Sequence, residues 1–144
     1  MSYVVSEMTI EDYDQVLALW KSSPAIVFSK VDTRDCIDKF LSRNTGLSFV
    51  VKDGGKCIGA ILCSHDGRMG YLSHLVVSED RRREGIGRQL VGRCLYALTG
   101  KGIHSCLLLI MRETPEALNF CQSIDPAGRI NVVMMGPKER ETVS

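Results

Sequence analysis

A chain of 144 residues with a hydrophobic fraction of 44% and a charged fraction of 24% has the make-up of one soluble globular domain, residues 1–144, large enough to bury roughly 68–70% of its unfolded surface. A net charge of +1 excludes an overall pull toward nucleic acid or an anionic membrane surface, and no stretch reaches the ~18 apolar residues that would span a bilayer. The cysteines, Cys36, Cys57, Cys63, Cys94, Cys106 and Cys121, form no C-x-x-C pair and no Cys/His zinc spacing. They read as reduced core residues and no metal is expected. The start MSYVVSEMTIEDYD has no signal-peptide pattern, so the expected location is cytoplasmic.

Tyr3-Val4-Val5 reads as a first strand. Thr9, with Asp12 three places on, is a weak capping box, and Tyr13, Val16, Leu17 and Trp20 follow at helical spacing. A helix from about Ile10 to Ser22 is predicted, stopped at Ser22-Ser23-Pro24. Ala25 to Val31 is an apolar connection without period. Asp32 is expected to cap a second helix that buries Ile37, Phe40 and Leu41 and ends near Asn44-Thr45-Gly46. Leu47 to Lys52 is a strand, Asp53-Gly54-Gly55 a hairpin turn, and Lys56 to Ser64 its partner. His65-Asp66-Gly67-Arg68 turns into a third strand, Tyr71 to Val77. A helix opened by Gly85 and Gly87 carries Ile86, Leu90, Val91, Cys94 and Leu95 on one face and runs to about Leu98. Ile103 to Met111 is continuously apolar, as for a strand covered on both faces. Glu113-Thr114-Pro115 opens a last helix with Ala117, Leu118, Phe120 and Cys121, and Asn131 to Met135 is a last strand. The tail from Pro137 is polar. The order β-α-α-β-β-β-α-β-α-β predicts an α/β (α+β) fold: a mixed, mostly antiparallel sheet of about six strands with about four helices on both faces.

The chemistry concentrates between Gly70 and Gly92. A strand ends at Val77, a polar bend Ser78-Glu79-Asp80 follows, and then Arg81, Arg82 and Arg83 precede the glycine-opened helix. The first N–H groups of a helix lack partners and carry partial positive charge. Glycines let a phosphate approach them, and arginines add fixed charge and forked donors. The stretch is therefore read as a pyrophosphate site. It is neither a P-loop nor a G-x-G-x-x-G dinucleotide turn, because Gly92 stands two places late and seven residues part Val77 from Gly85. Four arginines at one loop are too narrow a basic face for nucleic acid.

Arg82-Arg83-Glu84-Gly85-Ile86-Gly87 resembles motif A of the GNAT superfamily of N-acetyltransferases, Arg/Gln-x-x-Gly-x-Gly/Ala. The predicted element order is also the GNAT order, and HDGRMGYLSHLVVSEDRRREGIGRQLV is similar to the small bacterial YpeA-like group. The resemblance implies acetyl-CoA as co-substrate and an amine-bearing acceptor, a small molecule or a protein amine. It implies that the central strand and the next splay apart. Backbone at Leu75, Val76 and Val77 would then pair with the pantetheine arm, with the Leu75 amide polarising the thioester carbonyl. The pyrophosphate would rest on the N–H groups of Arg83, Glu84, Gly85, Ile86, Gly87 and Arg88, with Arg82 and Arg88 as charge partners.

The attacking amine needs a base. The family position that often carries Glu or His falls on Tyr71, and strand alternation puts Ser73 and Leu75 on the same face. His74 then points to the other face, unless a bulge reverses the parity. The family's last-helix pattern Asn-x-x-Ala-x-x-Phe/Tyr-Tyr reads here Thr114, Ala117, Phe120 and Cys121. Thr114 and Phe120 fall beside the cofactor, and Cys121 stands where a tyrosine general acid is usual. Water can serve instead; a covalent acetyl-Cys121 route lacks an adjacent His. His65, His104 and Asp66 read as structural, and the segments 123–128 and Ala25 to Val31 are expected to wall the acceptor pocket. Direct transfer in a ternary complex is the expected reaction, and a silent CoA-binding or protein-interaction module is the alternative. A homodimer is compatible with the sequence.

Overall fold

The first helix forms because its apolar residues repeat at three and four places, and those same residues decide what it covers. In the computed structural model, which describes residues 3–124 and 128–136, the elements are β1 (Tyr3–Glu7), α1 (Tyr13–Ser22), α2 (Arg34–Arg43), β2 (Phe49–Asp53), β3 (Lys56–His65), β4 (Gly70–Val77), α3 (Ile86–Thr99), β5 (Cys106–Ile110), α4 (Pro115–Ser123) and β6 (Ile130–Met134). Tyr13, Val16 and Trp20 of α1 join Ile37 of α2 over Val50, Ala60, Leu62 and Val76 on one face of the sheet. On the other face, Ile86, Leu90, Val91, Cys94 and Leu98 of α3 pack on Phe49, Val51, Ile61, Leu72 and Leu108. Each large side chain buried in this way stabilises by about 1.5–3 kcal/mol. Phe120, Cys121 and Ile124, at and after α4, join the α3 face.

The six strands lie in chain order, β1-β2-β3-β4-β5-β6. The first three pairings are antiparallel, and β4·β5 and β5·β6 are parallel. This is the mixed α/β architecture expected, with helices on both faces. The capping box at Thr9 is real: its N–H donates to Asp12 Oδ2 at 2.9 Å. Asp12 is buried and its other oxygen pairs with Lys52 Nζ at 2.6 Å.

Two local expectations need correction. Asp32 does not cap α2; Thr33 holds the N-cap position, with no side-chain capping bond. Asp32 closes a short 3-10 turn, Lys30–Asp32, where its Oδ2 accepts from Ser29 N–H at 3.0 Å, and it is 2% exposed. In β5, only Cys106 and Leu108 are buried, the other positions being part-exposed. The strand is not covered throughout because its neighbour leaves it, as described next. The final tail from Pro137 lies outside the described residues, as do positions 125–127.

Candidate active site

β4 and β5 are paired only through Gly70↔Cys106, Tyr71↔Leu107 and Leu72↔Leu108. Beyond Leu72, β4 continues on β3 as far as Val77, while β5 pairs with β6 as far as Ile110. Adjacent strands that stop pairing leave main-chain N–H and C=O groups without partners, which a ligand can satisfy. The gap between them is a cleft of about 680 Å³. One wall is His74, Leu75, Val76 and Val77; the other is Leu109, Ile110 and Met111.

The bulge the sequence left open is present. Ala60 faces Val76 and Leu62 faces Ser73, so β4 spends three steps where β3 spends two. His74 absorbs the extra residue at φ +53°, a left-handed conformation costing about 1–3 kcal/mol in a non-glycine residue. Parity flips there: Leu72 and Leu75 meet the α3 face, whereas His74 and Val76 lie with the α1 face. His74 thus shares a face with Tyr71, and Leu75 does not.

His74 is 9% exposed. Its Nε2 lies 3.0 Å from Asp32 Oδ1 and its Nδ1 3.4 Å from Ser73 Oγ. Its ring meets Trp20 edge-on at 4.9 Å between centroids. The buried Trp20 Nε1 finds no acceptor among the described residues.

The cleft's other end is basic. Arg82, Arg83, Gly85, Ile86, Gly87 and Arg88 all line it, so the N-terminus of α3, with its unpaired N–H groups, opens into it. Gly85 is the N-cap at φ +80°. Arg83 is also left-handed, at φ +69°, so the backbone coils tightly before the helix. Arg82, Arg83 and Arg88 form no ion pair with the described residues; Arg81 is held by Asp53 at 2.7 Å and by Glu84 at 3.0 Å. Glu84 is therefore a brace for the loop through its side chain. A charged, pyrophosphate-bearing thioester fits this donor set: a helix start, three arginines without ion pairs and an open strand edge.

Thr114 and Phe120 also line the cleft. Thr114 is the N-cap of α4, its Oγ1 accepting from Ala117 N–H at 3.1 Å. Tyr71 and Cys121 are not brought to the cleft. Tyr71 lies in the paired part of β4, and its hydroxyl donates to Asp66 Oδ2 at 2.7 Å. Cys121 packs against the α3 core, and desolvation pushes its thiol above the ordinary range. Sequence reasoning missed Asp32, and of the wall beside His74 it missed Ser23 and Pro24; Ala25 and Ile26 belong to the connection expected there, whose remaining residues do not line the cleft. The one available signal for Asp32 was a carboxylate at the end of an apolar connection.

All six cysteines are free thiols, and no group of three His, Cys, Asp or Glu among the described residues could hold a metal ion. Among those residues, no helix is long and apolar enough to cross a membrane.

The acetyltransferase (GNAT) family model matches residues 13–124. N-alpha-acetyltransferase 30 of Xenopus laevis is 40% identical over 57 residues, which are 36% of this chain and 21% of that protein; the match spans about a fifth of that relative. The uncharacterized N-acetyltransferase YuaI of Bacillus subtilis (strain 168) is 24% identical over 137 residues, 85% of this chain and 79% of the relative. In structure, the PaiA N-acetyltransferase of Thermoplasma acidophilum, solved in complex with coenzyme A, superposes with a TM-score of 0.71 at 18% identity, over 85% of this chain and 87% of that one.

Proposed function

Because this chain belongs to the acetyltransferase (GNAT) family, we propose that it is an acetyl-CoA-dependent N-acetyltransferase that acylates a primary amine directly, in a ternary complex. The observation that carries the reading is the parting of β4 from β5 next to the basic start of α3. A strand edge for an extended amide-bearing arm and a helix start for a diphosphate are there in one continuous cleft. The likeness to the YpeA-like group is offered as a subgroup reading on the Gly70–Gly92 stretch, and free thiols suit a reducing, cytoplasmic setting.

Acetyl-CoA supplies the acetyl thioester. On the protein side, the N–H groups from Arg83 to Arg88 hold the diphosphate, with Arg82, Arg83 and Arg88 as cationic partners. Backbone at Leu75, Val76 and Val77 aligns the arm, and the Leu75 N–H polarises the thioester carbonyl. His74, on the α1 face beside Ser23–Ile26, receives the amine's proton as the new C–N bond forms and the C–S bond breaks. The departing thiolate takes its proton from water, since the part-buried Cys121 packs on the α3 core and does not line the cleft. The acceptor enters from the α1 side, and the cofactor from the α3 side.

Calorimetric titration of acetyl-CoA into the wild type, Arg82→Glu and Gly85→Glu tests the reading, together with thiol release across a panel of amines. Loss of affinity in both variants and turnover with at least one amine are expected. Unaltered affinity in both would refute the anion site; binding without turnover on a broad panel would favour the silent module.

A further inference from the structure

We infer that Asp32 is the positioning residue for His74: it fixes the ring's tautomer so that Nδ1 carries the lone pair used on the acceptor amine. The inference rests on the acetyl-transfer reading above. Asp32 reaches His74 from the connection between α1 and α2, far away in sequence, and places Oδ1 3.0 Å from Nε2. A carboxylate oxygen accepts hydrogen bonds, so this contact assigns the proton to Nε2. Nδ1 is then the basic one, and its hydrogen-bond partner among the described residues is the Ser73 hydroxyl at 3.4 Å.

The carboxylate is itself immobilised. Its second oxygen accepts from Ser29 N–H at 3.0 Å, and the Asp32 carbonyl accepts from the Tyr13 hydroxyl at 2.6 Å. The Trp20 ring closes another side of the imidazole. A pair serving stability alone has no need of a strained histidine at φ +53° on the wall of a cleft. Here the strained backbone and the anchor together hold the ring in the wall of the cleft where the strands part. A base held in one tautomer by a fixed acceptor loses less on reaching the transition state than one free to rotate.

The test has two readouts. In the free wild-type protein, long-range nitrogen–proton correlation NMR of the ring is expected to give His74 as the Nε2–H tautomer. Asp32→Asn is expected to lose that single-tautomer signature and to lower kcat about 10–100-fold, with KM for the amine changed by less than about threefold. His74→Ala is expected to lose about 100-fold or more. An Nδ1–H tautomer in the wild type overturns the pairing even if Asp32→Asn does not fold. Turnover by the wild type with unchanged kcat in Asp32→Asn overturns the positioning role alone. A wild type with the expected tautomer and no turnover on any amine overturns the acetyl-transfer reading, and the role with it.

Discussion

Gly87 lies under the ring of Phe120: a Cβ placed on Gly87 would stand 3.0 Å from Cε1 and 3.3 Å from Cζ of that ring. The second glycine of the motif therefore sits in a tight packing contact between α3 and α4, whatever it also does for an anion. Its neighbour Gly85 has nothing within 4 Å of such a Cβ but sits at φ +80°. Gly87→Ala is expected to lose about 1–3 kcal/mol of stability through overpacking. Phe120→Leu in the same chain should recover part of that loss, giving a non-additive double-mutant cycle in denaturant titrations. Strict additivity would mean that the ring is not what excludes the methyl group.

The loop's arginines divide into one held by carboxylates and three, Arg82, Arg83 and Arg88, without an ion pair among the described residues. Arg81 is engaged by Asp53 and Glu84, so Arg81→Ala should lower Tm. Its effect on acetyl-CoA affinity should be smaller than that of the others. Arg82→Ala, Arg83→Ala and Arg88→Ala should leave Tm nearly unchanged and weaken the affinity about tenfold to a hundredfold where the side chain reaches a phosphate. The weakening should shrink as salt rises. Calorimetry at two ionic strengths checks this; equal affinity losses for Arg81 and its neighbours would contradict the division.

The β3–β4 turn carries a predictable acid sensitivity. Asp66 accepts from the Met69 N–H at 2.8 Å, the Tyr71 hydroxyl at 2.7 Å and the Arg68 N–H at 2.9 Å. These bonds, that from Met69 foremost, hold its carboxyl well below the usual carboxylate range. A carboxyl with a depressed folded value stabilises fully above its unfolded value of about 4 and loses that contribution as pH falls below it. Thermal melts between about pH 5 and 2 should decline less steeply in Asp66→Asn than in the wild type. Tyr71 has the opposite sense: its bond to Asp66 raises its value above the ordinary tyrosine range. Its contribution is present below about pH 10 and is lost as pH rises through the raised value. Identical acid slopes in wild type and Asp66→Asn would show that the turn contributes nothing.

Cys121 should prove dispensable for chemistry. Burial raises its thiol, which keeps the thiolate scarce at neutral pH, and the side chain packs on the α3 core rather than on the cleft. Cys121→Ser should retain turnover within about threefold, a small effect on the scale of acid–base contributions. Intact-mass analysis after incubation with acetyl-CoA should find no acetyl adduct on that residue. An adduct that disappears in the serine variant would reinstate the covalent route.

Much of this could be read ahead of the coordinates where one local signal decides. The three-and-four spacing of Tyr13, Val16 and Trp20, the Asp53-Gly54-Gly55 turn and the glycine-opened helix each act over a few residues. What failed were facts settled by distant partners. Asp32 has the composition of a helix cap, but His74, on another element, claims its carboxylate. The run from Ile103 to Met111 reads as doubly covered, yet Leu109, Ile110 and Met111 line the opening because β4 turns away from them. Tyr71 and His74 could be ordered only once the bulge was located, and no residue type announces a bulge at a histidine. Thr114, a departure from the family's asparagine, still works as a cap because its hydroxyl accepts the same kind of N–H bond.

The short β4·β5 seam, three residue pairs long, has a mechanical corollary. The part of the molecule from β5 to β6 hangs on those three pairs together with the α3 and α4 contacts. Whatever lodges in the fork acts as mortar for a sheet that the polypeptide leaves unfinished. Loading and rigidity would then rise together, and the empty protein should be the one that a protease nicks first, along the outer strands.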